Sequence, residues 1–188
     1  MPESQKTLKA RALPVLASVG FWGGLSVLAS LTSLALPWWG INITNPNSFS
    51  WGVLSGPVQP PLVTFFSDRL DQWFSANYAF MTSLVVLTSL LTAVGSYVKR
   101  WPLLTVSVLS SVATDLFFIA NVGIALDSEC QATDVAPASC ISGLAGLGRT
   151  SQGSIIIWGF KTGFYVFVAS GVLLLAALAL QRNKSREG

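Results

Sequence analysis

The chain has 188 residues, of which 52% are hydrophobic and 10% charged, with a mean hydropathy of +0.60. A soluble domain of that composition would be coated in apolar surface, so lipid is the expected solvent. The net charge of +3 needs no nucleic-acid partner, and the absence of histidine removes the usual ligand of haem-binding bundles and of most zinc sites.

Four apolar runs, residues 13–38, 78–98, 102–126 and 155–180, are each long enough to cross a hydrocarbon core of roughly 30 Å at roughly 1.5 Å of rise per helical residue. They predict one all-α membrane domain over residues 1–188, a four-transmembrane-helix bundle with outer loops at 39–77 and 127–154. The first run follows a basic stretch and contains Ser33-Leu34-Ala35, which is loosely like a secretory cleavage site. It is nevertheless much longer than the roughly 7 to 15 apolar residues of a signal peptide, and Pro37-Trp38-Trp39 reads as a helix end with an interfacial aromatic anchor, so retention as a span is expected. Within it Gly20 and Gly24 form a Gly-x-x-x-Gly pair suited to close helix approach.

In the first outer loop Ile41-Asn42-Ile43-Thr44 alternates like a strand, Asn45-Pro46-Asn47 is a turn, and residues 48–54 form a second strand candidate, which together predict a small hairpin. Asn42 also begins an N-glycosylation sequon. After the breakers Gly56-Pro57 and Pro60-Pro61, Leu62, Phe66, Leu70 and Trp73-Phe74 recur at helical spacing opposite Asp68, Arg69, Asp71 and Gln72. That pattern fits an amphipathic helix on the membrane surface or a cap on the outer ends of the bundle. The second span carries Thr82, Ser89, Thr92 and Ser96 along one stripe, and the third carries Ser107, Ser111 and Asp115 along another, so both stripes are expected to face protein.

Asp115 lies 13 residues past Pro102, roughly 20 Å along the third span, and Lys161 lies six residues past Ile155, roughly 9 Å inside the fourth. Their depths differ by about 7 Å on that reading, which makes an ion pair feasible. The favoured alternative has Lys161 snorkelling to the interface and Asp115 protonated or hydrogen-bonded by Thr114, Asn121 or a neighbouring helix. The second outer loop holds both cysteines, Cys130 and Cys140, and a structural disulfide there would restrict the loop around Ala136-Pro137-Ala138. Residues 143–153 read as a glycine-rich flexible link to the fourth span, in which Gly159 and Gly163 form a second Gly-x-x-x-Gly with Gly171 on the same face.

Basic residues set the orientation. Lys6, Lys9 and Arg11 precede the first span, Lys99 and Arg100 join the second to the third, and Arg182, Lys184 and Arg186 follow the fourth. All three clusters fall on one side, whereas Arg69 and Arg149 on the other are diluted by Asp68, Asp71, Asp127, Glu129 and Asp134, so both termini are expected in the cytoplasm and the loops outside the plasma membrane.

The segment Ala35-Leu36-Pro37-Trp38-Trp39, followed by Trp51-Gly52-Val53-Leu54, resembles the claudin-type tetraspan pattern over the first 80 residues or so. In that family the first helix ends in a Leu-Pro-x-Trp-like stretch and the loop carries a Trp-x-Gly-Leu-Trp signature. The resemblance implies inside-facing termini, a strand-like first loop, a short helix before the second span and a non-enzymatic role in lateral assembly, adhesion or barrier formation. The two first-loop cysteines of claudins have no counterpart here.

Zincin, P-loop, nucleophile-elbow and dinucleotide-binding motifs are missing, so neither enzymatic activity nor a cofactor or metal is expected. The leading expectation is an accessory or scaffold subunit that packs laterally against lipid, other integral membrane subunits or copies of itself. A claudin-like adhesion or barrier protein is the alternative, and a small ion or proton transporter using Asp115 and Lys161 is the next.

Overall fold

The computed structural model describes residues 18–44, 50–55, 68–132, 144–149 and 155–187. The basic residues Lys6, Lys9 and Arg11, the turn at Asn45-Pro46-Asn47, the proline pairs, Leu62, Phe66, Asp134 and Cys140 lie outside these. The chain is mostly helical, with four helices among the described residues: α1 (Val19–Leu34), α2 (Asp68–Val98), α3 (Trp101–Ala132) and α4 (Thr162–Glu187). Three contain segments long and apolar enough to cross a membrane, Ala79–Val98, Trp101–Ile124 and Thr162–Asn183.

Helix α1 starts where Ser18, in extended conformation, accepts a hydrogen bond on its Oγ from Phe21 N at 3.1 Å, capping an otherwise orphaned donor. It stops at Leu34, three residues before Pro37, a residue type that disfavours helical geometry at the position ahead of it. Its 16 residues span about 24 Å. Helix α2 ends at Val98 with Lys99 at φ 54° and Arg100 N bonded to Gly95 O at 3.2 Å, a Schellman closure that reverses the chain directly into α3.

The helices lie side by side, α1 against α2 and α4, and α3 against α2 and α4. Their surface is the reverse of a soluble protein's. Leu28, Leu90, Leu109, Leu116, Val172 and Leu175 are exposed, while Ser26, Ser30, Thr88, Ser89, Thr92, Ser107, Ser111, Thr114 and Ser170 are buried. In lipid the hydrophobic effect cannot hold helix to helix, so small hydroxyl residues that allow close approach and bridge across the seam take its place. Thr92 Oγ1 lies 2.5 Å from Ser107 Oγ, Thr88 Oγ1 2.7 Å from Ser110 Oγ and Ser30 Oγ 2.6 Å from Ser89 Oγ, and Ser26 Oγ donates to Ser170 O at 2.8 Å.

At the end opposite the Lys99-Arg100 turn sits a four-stranded antiparallel sheet, ordered β2-β1-β4-β3, from β1 (Trp39–Thr44), β2 (Ser50–Ser55), β3 (Gly146–Arg149) and β4 (Ile155–Phe160). The expected hairpin is present as β1 and β2, with Trp39 opposite Ser55 and Thr44 opposite Ser50. Three expectations are corrected. Residues 155–160 form a strand rather than the first turns of the fourth span, because β1 offers them a complete ladder of partners from Trp39↔Phe160 to Thr44↔Ile155. The glycine-rich link contains β3, whose Gly146 and Gly148 leave room for the Trp158 ring of β4. From Asp68 onward the presumed surface helix is the continuous start of α2, and α3 runs on to Ala132.

Candidate functional site

The junction between sheet and helices is a closely packed aromatic cluster. Trp38 is 0% exposed and its ring meets Phe118, Phe164 and Phe167 at centroid distances of 5.0, 6.0 and 4.9 Å. Its indole N–H donates to Ser33 O at 2.9 Å, so the polar edge of the ring is satisfied inside an apolar cluster with Met81, Val85 and Val122. Trp39 Nε1 donates to Leu144 O at 3.0 Å, joining the α1–α2 connection to the α3–α4 connection. The ladder between β1 and β4 then continues past the sheet, with Lys161 N donating to Trp38 O and Gly163 N to Pro37 O, both at 2.8 Å.

That geometry relocates Lys161. Helix α4 begins only at Thr162, so Lys161 stands at the sheet-side end of the span instead of roughly 9 Å inside it. Asp115 is deeper. Phe118 stacks beside Phe164, and a methyl at Gly171 would touch Ser111 Oγ at 3.2 Å, which sets Asp115 level with about residue 167, some 9 Å inward of Lys161. The two charges thus stand at different depths, with a larger offset than the spacing in the sequence suggests. The expected hydroxyl and amide donors do not serve Asp115. Thr114 Oγ1 donates to Ser110 O at 2.8 Å, Asn121 Nδ2 donates to Phe117 O at 2.7 Å, and Asp115 Oδ1 is buried with no hydrogen-bond partner.

The glycines divide into two groups. Gly163 is wedged against Leu36 O, Pro37 O and Trp38, and Gly171 faces Ser111, so both act as expected in close approach. Gly159 does not form a helical pair with Gly163, since it lies in β4 at φ 153°, opposite Gly40 and against Ala145. Among the described residues nothing lies within 4 Å of where a side chain would begin at Gly20 or Gly24, whereas Gly23 is packed against Ser96. Gly95, against Leu103 and Leu104, is a second packing glycine that the Gly-x-x-x-Gly spacing did not single out.

Asn42 is exposed on β1. Cys130 belongs to the last turn of α3, and its expected partner Cys140 lies outside the described residues. Among the described residues no three of Cys, Asp and Glu come together to hold a metal ion. Between the inner ends of α3 and α4 there is a cavity of about 800 Å³ lined by Trp101, Thr105, Leu175, Leu178, Ala179, Arg182 and Asn183, which sequence spacing alone gave no sign of. No protein-family model and no curated protein matches the chain.

Proposed function

We propose that this chain is a non-enzymatic accessory or scaffold subunit that acts by packing its helices sideways against another membrane protein. The observation that carries the reading is the face of α1 where Gly20 and Gly24 meet none of the described residues and Leu28, 64% exposed, extends the same stripe. A bare Gly-x-x-x-Gly surface lets a second helix approach to backbone contact, which in lipid is a main source of helix association. The internal glycines Gly23, Gly163 and Gly171 are already used within the chain, whereas the Gly20 and Gly24 face is surplus to the packing among the described residues.

In this reading the four helices form one transmembrane bundle in the plasma membrane with both termini cytoplasmic. Cys130 and Cys140 then close a disulfide on the outer side, where Asn42 is open to glycosylation. Gentle detergent extraction followed by native mass measurement is expected to give a stoichiometric complex with other membrane subunits. The double variant Gly20→Leu with Gly24→Leu is expected to release the chain as a folded monomer. A monodisperse lone monomer of the natural sequence would overturn the proposal.

A claudin-like adhesive or barrier role is the second reading, favoured by the sheet that joins both outer connections into one surface. It predicts homotypic polymers in the same extraction. Transport through Asp115 and Lys161 has no comparable support, because the two residues stand at different depths.

A further inference from the structure

The cavity between α3 and α4 is built in layers. At its inner end Arg182 and Asn183 supply a cation and an amide, Trp101 stands at the first residue of α3 with half its surface exposed, and Thr105 follows one turn on. Leu175, Leu178 and Ala179 continue the lining toward the middle of the span. Next to Arg182 in the chain, Gln181 Nε2 donates to Lys99 O at 2.5 Å and ties α4 to the turn between α2 and α3. That turn adds Lys99 and Arg100, and Lys184 and Arg186 follow Arg182 in α4, so this end of the molecule is basic in sequence as well as at the cavity.

Each layer corresponds to a part of one kind of molecule. A guanidinium forks onto a phosphate, an indole at the membrane interface packs on the glycerol level, and leucines accept the first stretch of an acyl chain. A volume of about 800 Å³ falls within the range of small-molecule sites, roughly 300 to 1,000 Å³, and two of the lining residues, Trp101 and Leu175, are each about half exposed. Basic clefts between transmembrane helices at a leaflet surface recognise anionic headgroups by the same logic. We infer that the inner α3–α4 cleft is a binding site for an anionic phospholipid of the leaflet on the side of the chain termini, with Arg182 on the headgroup phosphate and Trp101 beside the glycerol backbone. The site stands whether or not the Gly20 and Gly24 face docks a partner.

Quenching by brominated phospholipids tests it on the full chain purified in detergent. The Trp101 signal is isolated as the difference between the natural sequence and Trp101→Phe. Phosphatidylglycerol brominated near the headgroup is expected to quench Trp101 at about one fifth of the mole fraction that phosphatidylcholine requires, the scale of one basic residue meeting an anionic surface. Arg182→Gln is expected to reduce that ratio to about one, and the double variant Lys99→Gln with Arg100→Gln to leave it near five. Millimolar inorganic phosphate is expected not to relieve the quenching. Equal quenching by the two lipids would overturn the inference, as would a preference that survives Arg182→Gln. Loss of preference in the turn variant would assign the effect to diffuse surface charge, and relief by inorganic phosphate to a free-anion site, and either result rejects the lipid assignment.

Discussion

At Gly163 a methyl group would have to occupy space held by Leu36 O, Pro37 O and the Trp38 ring. Two of those three obstacles are backbone atoms of the stretch that Lys161 N and Gly163 N hold by hydrogen bonds to Trp38 O and Pro37 O, so neither can retreat without breaking the link between α1 and α4. Gly163→Ala is therefore expected to destabilise the chain by about 2 to 3 kcal/mol, read as a lowered midpoint of denaturant unfolding in mixed micelles. Gly20→Ala, with open space around it, is the matched control and is expected to stay within about 0.5 kcal/mol. Lys99 offers the opposite case. Its φ of 54° is a left-handed conformation that glycine adopts without penalty, so Lys99→Gly is expected to raise the same midpoint by about 1 kcal/mol.

The hydroxyl seams hold element to element. Thr92 Oγ1 lies 2.8 Å from Thr88 O in its own helix and 2.5 Å from Ser107 Oγ in α3, with both side chains buried. Replacing it by the isosteric valine keeps the shape and removes the bridge. A loss of about 0.6 kcal/mol, and no more than about 1.7, is expected in the same unfolding measurement. A larger loss would mean that Ser107 is left stranded without its second contact to Thr88 O. The stripes bearing Thr92 and Ser107 were legible in the sequence because helical periodicity survives whatever the helix packs on. The run at 155–160 was not, since a continuous apolar stretch ahead of a span carries no period that separates a buried strand from a helix. Three consecutive isoleucines and Gly159 were the signal available, as β-branched residues favour a pleated surface and glycine interrupts a helix. Likewise Asp127 and Glu129 made the end of α3 look like a loop, although a helix leaving the membrane carries charge without unwinding. Gly23 was hidden by its neighbours. The spacing of Gly20 and Gly24 is symmetrical about an axis that sequence cannot orient, and only the placement of α1 against Ser96 of α2 decides which side is inside.

For the whole molecule, the connections matter more than the spans. The α1–α2 half and the α3–α4 half are joined in the chain only by the Lys99-Arg100 turn, yet they share a sheet through β1 and β4, an aromatic cluster around Trp38 and the Ser26 to Ser170 hydrogen bond. Residues 1–99 and 100–188, co-expressed as separate chains, are accordingly expected to copurify. The same pair carrying Gly159→Val is expected to separate, because valine cannot adopt φ 153° and the β1–β4 ladder would break. Copurification that persists undiminished in the variant would show that helix packing alone joins the halves. The inner α3–α4 cleft belongs to this scale too, and it was beyond the reach of sequence reading because its two walls lie about seventy residues apart.

Strand β1 is flanked by β2 on one edge and β4 on the other, and the second neighbour follows about 110 residues later. At translation speeds of roughly 5 to 20 residues per second, the nascent hairpin waits on the order of ten seconds with one bare row of amides and carbonyls before its mate emerges from the ribosome. During that delay the bare edge of β1 is open to any extended segment it meets, and the arrival of β4 is the step that closes it.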